Sequence, residues 1–310
     1  MYLYCGMFIA SNIIIPELPS VNQNKPGILF SLENAQPQLN NYIWSYHWLT
    51  QEGEPAISYR EQNGYHWLRF PGIADFCISA NAREISCIPQ PNLPLETTRH
   101  LLLDQVLPRC LAHQGRIMVH ASAVQLERGS LVFFGDSGAG KSTLAGNFYQ
   151  DGTPVISDDC VWIKEEDAAI KAVPNYGGLR LWKDSLEKLF VVEQIVHPMV
   201  HYSTKKRVLL EKKSQFKFSK GIPILALILL SPYGQVRDRE ISLVPLSIRE
   251  AFVEIAKKTF RLYLSDPKII NQHMQALGRI AVKLPAYRLS IPRDYALLPL
   301  VRRKILETVL

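Results

Sequence analysis

"SLVFFGDSGAGKSTLAGNF", Ser130 to Phe148, decides how the rest of the chain is read. Leu131-Val132-Phe133-Phe134 is an apolar run and predicts a buried strand. Gly135-Asp136-Ser137-Gly138-Ala139-Gly140-Lys141-Ser142 follows and fits the spacing G-x-x-x-x-G-K-[ST] of a phosphate-binding (Walker A) loop. Ser142 to Tyr149 then predicts a helix. The residue types suit the task. Glycines let the backbone turn tightly and approach an anion closely. Inward-facing amides and the positive end of the helix dipole attract phosphate. In such loops the lysine reaches the β- and γ-phosphates and the serine hydroxyl binds Mg²⁺. Gly135 to Ser142 is therefore the expected site for the phosphates of a nucleotide, with Lys141 and Ser142 in those two roles. A glycine-rich turn without a ligand would not need the whole motif in this strand–loop–helix setting. The motif leaves the reaction open, because transporters, switches and kinases all use it.

The next informative stretch is "TPVISDDCVWI". A predicted strand ends in two adjacent carboxylates, Asp158 and Asp159, one helix and one strand after Lys141. In a βαβ-type unit that separation brings the strand end beside the phosphate loop. One carboxylate there can hold Mg²⁺, and the other can accept a proton from an attacking hydroxyl. Alone, the pair would read as a solvent-facing turn with Asp158 capping nearby amides. His120, in "MVHASAV", lies on the preceding strand, where a histidine is most often a satisfied core residue. Arg180, in "NYGGLRLW", is a lone arginine in an apolar segment. It is either a surface or ion-paired residue, or a cation that neutralises charge on a transferring phosphoryl group.

Around this centre the chain divides. Residues 1–94 predict a strand-rich domain: "NYIWSYHWL", "GYHWLRF" and "DFCISA" alternate, and "EGEP", "QNG" and "PG" punctuate them. Tyr42, Trp44, Tyr46, Trp48, Tyr65 and Trp67 read as core and sheet surface rather than as a binding platform. Residues 95–115 predict a linking helix, interrupted near Pro108 and stopped by Gly115. From Arg116 to Leu310 strands and helices alternate. "RIMVHASAVQL" reads as one strand, Ile222 to Leu230 as a core strand, and "SIREAFVEIAKKTF" and "YALLPLVRRKILETVL" as the two helices of the C-terminal part.

Composition excludes several classes. The 310 residues are 47% hydrophobic and 20% charged, as in an ordinary globular protein. The net charge of +7 suits a polyanion such as ATP or an acidic peptide. Lys205-Lys206-Arg207 and Lys212-Lys213 read as a solvated basic face, and no nucleic-acid motif is present. Five cysteines without C-x-x-C spacing predict neither a disulfide framework nor structural zinc, and His197 and His201 read as ordinary histidines. The apolar N-terminus lacks a basic leader, and no run is long enough to span a bilayer, so no membrane partner and a cytoplasmic location are expected. A homo-oligomer is left open.

"VHASAV … FFGDSGAGKSTLAG … ISDDCVWI … GGLRLW" resembles the HPr kinase/phosphorylase group over Arg116 to Trp182. Within it the chain looks most like the kinases that tailor ribosomally made peptides, above all the lasso-peptide precursor kinases. "YCGMFIASNIIIPELP", "LRLW" with Lys183-Asp184-Ser185, the basic "KKR" and "YRLSIPRDYALLPLV" carry that closer likeness. The resemblance implies an α/β fold, with a C-terminal P-loop domain of the HPr-kinase/PEP-carboxykinase type and a strand-rich α+β N-terminal domain. It implies ATP and Mg²⁺ as cofactors and a precursor peptide as partner, phosphorylated on its C-terminal serine. Gly135 to Thr143 would bind the ATP phosphates; Asp158 would be the base; Asp159 and Ser142 would serve Mg²⁺; His120 would sit near the phosphates and the aspartate pair; Arg180 and Lys141 would act in catalysis. The bifunctional HPr enzymes carry a glutamate two residues before that arginine, where this chain has Gly178, so phosphorylase activity is not implied. Other readings are a kinase of HPr or of a small metabolite, and a nucleotide-driven switch or ATPase. The last lacks both its usual marks, an N-K-x-D motif downstream of the loop and an L-S-G-G-Q signature.

Overall fold

The computed structural model describes residues 1–310 except 24, 35–42, 51, 177, 191–195, 198–204, 211–220, 233–239 and 263–265. Tyr42, His201 and Lys212-Lys213 lie outside the described residues. The fold is mixed α/β and divides into two units. Residues 1–114 make up most of the first; residues 115–199, 204–260 and 264–310 form the second.

The first unit is one sheet of eight strands in the order β1-β2-β3-β8-β7-β6-β5-β4. They are β1 (Tyr2–Tyr4), β2 (Met7–Ser11), β3 (Ile28–Leu32), β4 (Tyr46–Leu49), β5 (Pro55–Gln62), β6 (Tyr65–Phe70), β7 (Ala74–Ser79) and β8 (Glu84–Pro89). In β6, His66, Leu68 and Phe70 are buried and alternate with more open residues, the pattern of a sheet with one covered face. Helices α1 (Leu95–Leu101) and α2 (Leu107–His113) are joined by a π-helical segment, Leu102–Val106. The π segment places the interruption just before Pro108, which sits in the first turn of α2 where its missing N–H costs nothing.

The second unit holds β9 (Ile117–Val119), β10 (Ala121–Leu126), β11 (Gly129–Gly135), α3 (Lys141–Gln150), β12 (Val155–Ser157), β13 (Val161–Glu166) and β14 (Ala169–Val173). Next come β15 (Gly178–Leu181), α4 (Lys183–Leu189), β16 (Val196–His197), β17 (Lys206–Leu209), β18 (Ile222–Leu230) and β19 (Ser242–Pro245). Helices α5 (Ile248–Lys257) and α6 (Pro267–Lys283), strand β20 (Ala286–Ser290), a 3₁₀ turn at Tyr295–Leu297 and α7 (Leu298–Val309) complete it. Strands β11, β18 and β20 are parallel neighbours, and β10 runs antiparallel to β11. The apolar run of β18 therefore lies at the centre, buried from Ala226 to Leu230. Strands β15, β17 and β16 form a small separate sheet.

Two sequence expectations change here. "RIMVHASAVQL" is two strands, not one. The chain breaks at His120, so that β9 pairs with β13 while β10 lies between β12 and β11. His120 instead gives its amide to the Lys258 carbonyl at 2.8 Å. The C-terminal part also contains a helix the sequence reading omitted, α6, although Asp266 caps it and Pro267 occupies its first turn.

Candidate functional site

The loop between β11 and α3 is shaped by its neighbours. A Cβ at Gly135 would lie 2.7 Å from the Leu230 carbonyl oxygen of β18, so only glycine lets the two parallel strands approach there. Gly140 holds φ 95°, a left-handed conformation, and starts α3 with no side chain capping its amides. Those amides are the donors a phosphate would use. The Lys141 ammonium is buried and donates to the carbonyls of Gly135 at 3.1 Å and Asp136 at 2.9 Å. Burial pulls it down to about 8, with Asp159 opposing the shift and Lys205 adding to it.

Asp158 and Asp159 follow the end of β12, beside this loop. Asp158 is buried and accepts three hydrogen bonds: from Ser122 at 2.5 Å, from Ser142 at 2.9 Å and from the Arg180 amide at 2.9 Å. Burial raises its proton affinity, and the adjacent Asp159 charge raises it further. Asp159 holds φ 60°, a strained conformation for a non-glycine residue. That turn directs the two neighbouring carboxylates to different partners. The Asp159 carboxylate pairs with the Arg180 guanidinium at 3.3 Å, and its carbonyl accepts a hydrogen bond from His120 Nδ1 at 2.8 Å. A carbonyl only accepts, so Nδ1 carries the proton. Burial first, and then Lys141, lower His120 to about 4, so the ring is neutral at pH 7.

A cavity of about 320 Å³ opens over the loop. Of the expected residues, His120, Ser137, Gly138, Gly140, Lys141, Ser142, Thr143, Asp159 and Arg180 border it. Gly135, Asp136, Ala139 and Asp158 do not; Ala139 is packed in the core, and the Asp136 carboxylate pairs with the Lys258 ammonium. Asp158 meets the cavity through Ser142, its hydrogen-bond donor.

The basic run at residues 205–207 does not behave as a solvated face. Lys205 borders the cavity with its ammonium 5.3 Å from the Trp182 ring centre, and Arg207 is buried, with a hydrogen bond to the Tyr176 hydroxyl. Ser122, Trp182, Ser185 and Tyr295 were also missed. Ser122 had a faint signal, two residues past His120; the others reach the site only through tertiary packing.

Among the described residues no group of three His, Cys, Asp or Glu side chains is placed to hold a metal by itself. Mg²⁺ asks for less: it takes one or two carboxylates with substrate phosphates and keeps several waters. Ser142, Asp158 and Asp159 supply hard oxygen donors of that kind beside the phosphate loop. No helix among the described residues is long and apolar enough to cross a membrane.

No protein-family model and no curated protein matches the chain. Among solved structures, a similarity is found to the Hpr(Ser) kinase/phosphatase from Coxiella burnetii, at 11% identity and a TM-score of 0.31, over 62% of this chain and 92% of that one.

Proposed function

We propose that this chain is an ATP- and Mg²⁺-dependent kinase that phosphorylates a serine hydroxyl of a peptide, the C-terminal serine of a lasso-peptide precursor. The observation that carries the proposal is the bond between Ser142 of the phosphate loop and Asp158, with Asp159 and Arg180 on the same cavity wall. A loop that only held nucleotide would not need two carboxylates and an arginine at its γ-phosphate end. The acceptor identity comes from the sequence resemblance.

In the reaction the serine oxygen attacks the γ-phosphorus, the bond from that phosphorus to the β,γ-bridging oxygen breaks, and ADP leaves. The serine proton passes to the aspartate pair. Asp159 meets an incoming hydroxyl first, and Asp158 supplies the raised basicity behind it. Lys141, Arg180 and Lys205 neutralise the three equatorial oxygens as charge develops. His120, neutral, holds the Asp159 backbone in its left-handed turn. Ser142 and the aspartates would hold Mg²⁺, which when bound would offset the charge of the phosphates.

Mass spectrometry of the precursor peptide, incubated with the protein, ATP and Mg²⁺, tests this. One added phosphate is expected on the C-terminal serine. Asp158→Asn and Asp159→Asn should each lower transfer by about 10²–10⁴-fold, the usual contribution of general-base catalysis. The variant that keeps Mg·ATP affinity while losing transfer marks the proton acceptor. Unmodified peptide beside normal ATP binding would redirect the assignment to HPr or a small hydroxylated metabolite.

A further inference from the structure

The phosphate loop carries a charge that works against an anionic ligand. Asp136 is the one acidic residue between Gly135 and Thr143, and its side chain is 58% exposed. Its carbonyl accepts from the Lys141 ammonium, so the residue is fixed within the loop. A bare carboxylate there would repel a polyphosphate. It is covered instead by the ammonium of Lys258, which holds it below the ordinary carboxylate range.

The backbone puts Lys258 in place for this. Lys258 caps the C-terminus of α5, and its amide donates to the Ile255 carbonyl at 2.9 Å. Its carbonyl accepts from the His120 amide at 2.8 Å, and the Phe260 amide donates to the Met118 carbonyl at 2.8 Å. The Phe260 ring lies edge-on to the His120 ring, with centroids 6.1 Å apart. These contacts tie residues 258–260 into the break between β9 and β10. The Lys258 side chain is only 15% exposed, so its ammonium is held against the loop rather than left to wander in solvent. One residue thus serves two parts of the site. Its carbonyl fixes His120, whose ring holds the Asp159 turn, and its ammonium covers Asp136.

We infer that Lys258 is a positioning residue of the phosphate loop: by covering the Asp136 carboxylate it keeps the loop's own negative charge from opposing a bound polyphosphate. The inference rests on the nucleotide reading of the loop. It gives a role to a residue that the sequence places at the end of the helical stretch "SIREAFVEIAKKTF", far from the motif. A pair that merely braced the loop would need both partners equally. A pair that masks charge needs Lys258 only while Asp136 is an acid.

Isothermal titration of the full chain with Mg·ATP and with Mg·tripolyphosphate tests this role. Lys258→Ala uncovers Asp136 and should weaken both ligands by about fivefold, the upper scale of a solvent-facing charge pair. Asp136→Asn should instead tighten both, because the Lys258 ammonium then faces the phosphates unpaired. The double variant, Lys258→Ala with Asp136→Asn, should return to the wild-type affinity, which also guards against a folding defect in the alanine variant. The loss in Lys258→Ala should shrink as the salt concentration rises. Weaker binding in Asp136→Asn, with no recovery in the double variant, would overturn the inference and reduce the pair to a brace. Unchanged affinity in Lys258→Ala would overturn it as well, with the phosphate loop left standing. Wild-type protein that binds neither ligand would overturn the nucleotide reading itself, and the role of Lys258 with it.

Discussion

A methyl group at position 135 has no room. The Cβ of Gly135→Ala would sit 2.7 Å from the Leu230 carbonyl, and the backbone there is at φ 149°, which a side chain disfavours. The carbonyl belongs to a buried central strand and cannot turn aside. Gly135→Ala should therefore cost about 1–3 kcal/mol, the range for overpacking a filled site, and weaken ATP binding by displacing the loop. Urea denaturation and nucleotide titration check the two effects; full stability with full affinity would show that β18 yields. Gly138 contrasts with it, since a Cβ there meets nothing within 4 Å and its φ of 81° is the only constraint. Both glycines stand in the motif, yet only the structure separates close approach from turn geometry.

At the scale of elements, what the sequence declared was local. The strand, loop and helix from Leu131 to Tyr149 are as expected because apolar run, glycines and helix start all act within a few residues. The break at His120 was not legible, because no glycine or proline marks it and its cause is a distant partner, the Lys258 carbonyl. Lys205 looked like surface because charge in sequence does not reveal the ring it will lie against. Of the aspartates, the pairing with the loop was legible from spacing, but the division between Asp158 behind and Asp159 in front depends on one left-handed residue. A similar tertiary dependence operates in the first unit, where β5, β6 and α2 meet. His66 of β6 is buried, bonds the Tyr59 hydroxyl at 2.8 Å and lies edge-on to His113 at 4.8 Å. Burial, and then the His113 charge, lower its proton affinity from the ordinary 6.5. The unfolded chain thus takes up the proton first as pH falls below 6.5, so the neutral ring's contribution to stability, present above that pH, is lost below it. Denaturation followed by the fluorescence of Trp44, Trp48 and Trp67 should show falling stability between pH 7 and 5, and His66→Gln should flatten that slope. An unchanged slope in the variant would assign the dependence to another group.

For the molecule as a whole, the question is why so many cations gather at one place. The chain carries a net charge of +7, and Lys141, Arg180, Lys205 and Arg293 all border a single cavity that presents the carboxylates of Asp159, Asp184 and Asp294. Without a polyanion these cations repel one another; Lys141 is held down to about 8 first by burial and then by Lys205, against the pull of Asp159. A bound triphosphate would replace that repulsion with attraction, and the gain appears as stability of the unit that carries the loop. Mg·ATP at a hundred times its dissociation constant should add about 2.7 kcal/mol to that unit. Raising the salt concentration should shrink the gain, because the outer cations face solvent and their pull on phosphate is screened. Lys141→Ala should abolish most of the gain while leaving the ligand-free protein folded, since removing a desolvated buried charge offsets the loss of its two carbonyl contacts. Calorimetry of the full chain with and without Mg·ATP reads all three effects. A wild-type transition that Mg·ATP does not move would mean that the cavity's charge serves some ligand other than a nucleotide. An equal shift in Lys141→Ala would mean that nucleotide binds away from the loop.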